Sequence, residues 1–79
     1  MDLDKIGLIA QQISFANEDH FHEIDKRKKF TAVFDKYLSL VDTGLTMEIY
    51  DAVIALGRSN PAALEKMVKE LKEEGLLSG

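Results

Sequence analysis

The chain has 79 residues, a formal net charge of −4, a hydrophobic fraction of 46% and no cysteine. Such a length allows one domain (residues 1–79) with a small single core, and the hydrophobic fraction is too high for a disordered chain. The missing cysteine excludes disulfides and thiolate zinc as supplements to that core, and the acidic balance opposes general attraction to nucleic acid or anionic lipid.

Leu3, Ile6, Ile9, Ala10, Ile13 and Ala16 recur at spacings of three and four, which predicts a first helix from about residue 2 to 16. Leu8 and Phe15 lie seven apart and off that stripe, so the helix is apolar on a second side. Asn17 to Glu23 is a polar interruption without glycine or proline. It reads either as a loop or as helix continuing into the next element, and Phe21 and Ile24 keep the phase of the first stripe. Phe30, Val33, Phe34, Tyr37, Leu38 and Val41 predict a second helix over about 25–41. Asp42-Thr43-Gly44 ends it, with Gly44 as the residue past the helix end. Thr46 then caps a third helix over 47–56, carrying Met47, Tyr50, Val53 and Ile54, and Gly57 ends it. A fourth helix, 61–74, has both ends punctuated. Asn60 is its N-cap, Pro61 fits the first turn, and Leu64, Met67, Val68 and Leu71 form its stripe. Gly75 suits a left-handed ending, with Leu76 folding back on Leu71. No alternating run or Asn-Gly turn marks a strand. The fold class is all-α, a small bundle of three to four helices.

Chemistry-bearing patterns are sparse. His20 and His22 sit two apart, about 200° around a helix, so on a helix they cannot share a metal as a pair four apart would; in an extended segment they would face one way, and Asp19 or Glu23 could join them. Their plainer role is on a solvated turn beside carboxylates such as Glu18 and Glu23. No serine is spaced to a base and no glycine-rich phosphate loop exists, so no catalytic residue, cofactor, metal or small-molecule substrate is expected and the chain reads as non-enzymatic. Lys26-Arg27-Lys28-Lys29 is the concentrated basic run, with Glu18, Asp19, Glu23 and Asp25 just upstream to offset it. Glu65 with Lys69 and Lys66 with Glu70 are pairs four apart that support a helix surface.

Two resemblances reach the C-terminal half. Met47 to Ile54 followed by Pro61 to Leu77, ending Lys72-Glu73-Glu74-Gly75-Leu76-Leu77, is similar to the recognition-helix exit of winged-helix regulators. Glu65, Glu70, Glu73 and Glu74 would repel phosphate there. Asp42-Thr43-Gly44-Leu45, a mostly apolar helix, Asn60-Pro61-Ala62-Ala63-Leu64 and Lys69-Glu70-Leu71 resemble the mitotic-spindle organising (MOZART) family, small helical adaptors of the γ-tubulin ring complex. The likeness spans residues 42–74, with a shorter segment between Leu45 and Asn60 than the family has. It implies an adaptor whose helices intertwine with a partner's helical segment, the residues after Thr43 forming the shared core.

The expected function is a non-enzymatic protein–protein interaction module: an adaptor, inhibitor or accessory subunit. Its expected partner-binding residues are Leu8 and Phe15, with Ile9 and Phe21 beside them. The partner is another protein or a second copy, giving a homodimer or larger homo-oligomer. The alternative is a nucleic-acid-associated transcriptional regulator using residues 26–29 and a helix-turn-helix-like C-terminal half. No run approaches the ~18 apolar residues of a membrane span. Met1 to Lys5 lack the basic start and apolar core of a secretory signal, so a cytoplasmic location is expected.

Overall fold

Asp2 opens the first helix, α1 (Leu3–Asp19): its carboxylate accepts the Lys5 backbone N–H at 2.8 Å, satisfying an amide that a helix start leaves unpaired. In the computed structural model, which describes residues 2–41 and 48–77, three more helices follow. They are α2 (Ile24–Leu38), α3 (Ile49–Ser59) and α4 (Pro61–Glu73). The described residues contain no strand, and the fold is the all-α bundle that the periodicity predicts.

The boundaries differ where tertiary context overrides local signals. Helix α1 runs past Ala16 to Asp19, and the His20 backbone N–H closes it on the Ala16 carbonyl at 3.1 Å. Residues 20–23 then turn, so α1 and α2 are separate; Phe21 and Ile24, in phase with the first stripe, are both exposed. Glu23 occupies the N-cap of α2 without a side-chain cap bond. Its carboxylate is engaged elsewhere, at 2.7 Å from His20 Nδ1 and 3.4 Å from Lys26 Nζ. Helix α2 stops at Leu38, short of Val41, because the Leu40 and Val41 N–H groups bond three residues back, to Tyr37 and Leu38. The expected helix ending at Asp42-Thr43-Gly44, the Thr46 cap and the Met47 start lie outside the described residues.

Gly57 does not end α3. It is buried inside the helix, which continues to Ser59. A Cβ there would lie 2.8 Å from Ile6 Cγ2 and 2.8 Å from Leu64 Cδ2, so the glycine sits where α1 and α4 both approach α3. What stops α3 is Asn60-Pro61, since a residue before proline is pushed out of the helical region. Asn60, at φ −150 and ψ 76, closes one helix and opens the next. Its N–H reaches the Leu56 carbonyl at 2.7 Å and its side-chain oxygen accepts the Ala63 N–H at 3.2 Å. The far end of α4 is the predicted left-handed ending. Gly75 has φ 74, its N–H bonds to Lys72 and the Leu76 N–H bonds to Leu71 at 2.8 Å.

Helix α1 lies chiefly against α3, α3 against α4, and α4 against α2. Their apolar stripes meet in one cluster that includes Ile6, Phe30, Tyr37, Val53, Leu64 and Leu71, closed by Leu76. Met67 is fully buried with Leu64 and Leu71, while Val68, Phe34 and Leu38 pack at the cluster edge. Across α2 and α4, Lys36 Nζ donates to Glu70 Oε1 at 2.6 Å, so Glu70 bridges helices instead of forming the local pair with Lys66. No described helix is long and apolar enough to cross a membrane.

Candidate functional site

The core stripe of α1 buries Ile6, Ala10 and Ile13. At 100° per residue this leaves Asp4, Leu8, Gln11, Phe15 and Glu18 on the opposite face, and Leu8 and Phe15 carry its apolar surface. Leu8 is 60% exposed and Phe15 57%. They stand about 10 Å apart along the axis, two apolar side chains in line on solvent.

Each borders a shallow groove. Beside Leu8, a groove of about 740 Å³ runs between α1 and α3, lined by Leu3, Gly7, Tyr50 and Ile54 with Asp4 and Asp51 on its rim. The Tyr50 hydroxyl lies 3.9 Å from where a Cβ on Gly7 would stand, an ordinary contact distance, so the groove has room for a small side chain at that position. Beside Phe15, a groove of about 550 Å³ is bounded by Ala16, Asp19, His20, Lys26 and Leu77. Both grooves are open to solvent, so they offer contact area and no water-excluded chamber.

The other two expected residues are placed differently. Ile9 is half-buried and packs at the edge of the core cluster, off the exposed line. Phe21 is exposed in the α1–α2 turn, with the Arg27 guanidinium 5.4 Å from its ring centroid and His22 edge-on at 5.8 Å. Periodicity alone places two of the groove residues in the core. Leu3 belongs to the first stripe and is 60% exposed; Tyr50 belongs to the stripe of the third helix and is 41% exposed. Leu3 lies at the first helical position and Tyr50 in the first turn of α3, at the open edge of the α1–α3 contact, where both line the groove.

The histidines and most of the basic run are used within the fold. His20 pairs with Glu23 and stacks on the buried Phe30 ring at 6.4 Å, while His22 meets Phe21. The histidine's hydrogen bond, aided by Lys26, holds the Glu23 carboxyl below its ordinary range. In the basic run, Lys26 pairs with Glu23, Arg27 covers Phe21, and Lys29 reaches Glu74 at 3.7 Å. Among the described residues no three His, Asp or Glu side chains converge as a metal cage requires. No family model, curated protein or solved structure matches the chain.

Proposed function

We propose that the chain is a non-enzymatic helical interaction module, an adaptor, inhibitor or accessory subunit, that captures a protein chain on the outer face of α1. The observation that carries this reading is the pair Leu8 and Phe15, each more than half exposed, aligned on one helix face and each beside a shallow groove. Burying both contributes about 1.5–3 kcal/mol each before ordering costs, enough to decide a weak association. A chain of 79 residues without cysteine gains from such cover, since its own core is small. The adaptor role implied by the MOZART resemblance is of the same kind. The part of that motif at Asn60 to Leu64 forms the α3–α4 joint and the first turn of α4. A cytoplasmic setting suits this role.

The nucleic-acid reading has less support, because Lys26, Arg27 and Lys29 are engaged within the molecule and Glu70, Glu73 and Glu74 crowd the end of α4. The two readings separate in one experiment. Leu8→Glu with Phe15→Glu should keep the circular dichroism of the parent while abolishing self-association or partner capture. Unchanged assembly in that variant, together with loss of activity when residues 26–29 are neutralised and a steep salt dependence, would overturn the apolar-interface reading.

A further inference from the structure

The outer face of α1 is acidic at both ends of its apolar centre. Asp4 stands before Leu8, and Glu18 and Asp19 stand after Phe15. Asp4 is favourably placed at the positive end of the helix dipole, but Glu18 and Asp19 occupy the last turn, where carboxylates oppose it. That turn contains no basic residue, and among the described residues neither acid forms an ion pair. The helix's negative end and two carboxylates therefore put negative potential next to Phe15; Lys26, which shares that groove, has its charge matched by Glu23 at 3.4 Å. Asp51 extends the acidic rim along the groove; Arg58 offsets it near Leu3, away from the Glu18–Asp19 end.

This pattern discriminates between occupants. In a closed dimer, a second copy docks α1 on α1 about a two-fold axis. Antiparallel pairing sets Asp4 of one copy against Glu18 and Asp19 of the other. Parallel pairing sets each acid against itself. Either arrangement brings like charges together around the apolar contact, which opposes association. We propose that the α1 face receives an amphipathic helix of another protein, with apolar residues at i, i+3 or i+4, and i+7, and with lysine or arginine toward both ends. The apolar side chains lie beside Leu8 and Phe15 and enter the α1–α3 groove at Leu3, Tyr50 and Ile54. The partner's cations, about 21 Å apart, meet Asp4 and the Glu18–Asp19 pair. The assignment rests on the interaction-module reading and names the chemistry of its partner.

The test uses two labelled synthetic helical peptides of about sixteen residues, identical in their leucine stripe, one with lysines and one with glutamates near both ends. Fluorescence anisotropy should give at least tenfold tighter binding of the lysine peptide to the parent chain, weakened by added salt. Asp4→Lys with Glu18→Lys and Asp19→Lys should reverse the preference while leaving helix content unchanged. Equal binding of both peptides overturns the assignment. So does failure of both in a chain that self-associates and loses that association with Leu8→Glu and Phe15→Glu. In that case the occupant is a second copy and the interaction-module reading survives. If neither peptide binds and the double variant assembles as the parent does, both readings fall.

Discussion

Gly57 sets two opposing effects against each other. As an interior helix residue it is about 1 kcal/mol worse than alanine by intrinsic propensity, so on local grounds Gly57→Ala should stabilise α3. The added Cβ would stand 2.8 Å from both Ile6 Cγ2 and Leu64 Cδ2, on side chains that are themselves buried. Forcing them aside costs about 1–3 kcal/mol, as overpacking does, so the substitution should be net destabilising. Urea denaturation decides it: a raised midpoint in Gly57→Ala would mean that the α1–α3–α4 junction has slack. Sequence shows only the missing side chain of this glycine, and a left-handed helix ending and a close helix crossing both call for that. Gly75, at φ 74 with open space around the position of a Cβ, meets the first need, and Gly57 the second.

Among the elements, α2 and α4 are tied at their exposed edge by Lys36 and Glu70, and this tie titrates. The Lys36 hydrogen bond, with a further contribution from Tyr37, holds the Glu70 carboxyl below its ordinary 4.5. The same bond raises Lys36 above its ordinary 10.5. A carboxyl lowered in the folded state contributes stability that is fully present above the unfolded value and lost as pH falls through the folded one. A lysine raised in the folded state contributes below its unfolded value and loses that contribution as pH rises through the folded one. The pair therefore supports the fold between those limits. Its contribution should fade below about pH 4.5. Glu70→Gln should flatten the acid side of a plot of urea midpoint against pH, and an unaltered acid slope would show that the tie is inert. The helices themselves are largely legible in the sequence. Asn60-Pro61 and Gly75-Leu76 bracket α4 as their chemistry predicts, because capping is local. The end of α2 is less so, because the Leu40 and Val41 N–H groups turn to carbonyls three residues back although the apolar stripe runs on to Val41. The outward stripe of Leu8 and Phe15 is visible as a departure from the α1 period. The groove beside it is not, since its second wall, Tyr50 and Ile54 on α3, comes from residues far away in sequence.

At the scale of the whole molecule, the Cα extents are 30 × 29 × 17 Å, a slab about two helix layers thick. A slab has more surface for its volume than a sphere, so outward apolar residues such as Leu3, Leu8 and Phe15 have no further layer over them among the described residues. Helices occupy 80% of the described residues. Far-UV circular dichroism should accordingly report well over half helix, against the roughly one-third typical of globular domains. A value near one-third would contradict the bundle. The same spectrum is the control for each surface variant, since substitutions on the outer face of α1 leave Ile6, Ala10 and Ile13 in place.

The single-residue joint at Asn60 has a consequence for the order in which the fold assembles. Contacts between α3 and α4 close a very short loop, so their entropic cost is small and this hairpin can form early. Helix α1 docks on α3 with the whole of α2 in between, the longest closure among the principal helix pairs. On closure entropy alone its docking is the costliest of these contacts, which favours a late place in the order. Its outer face carries Leu8 and Phe15, and a chain bound there would hold α1 in place through its own contacts. Partner capture and a late step of folding would then draw on the same helix, and the bound protein would unfold more slowly than the free one.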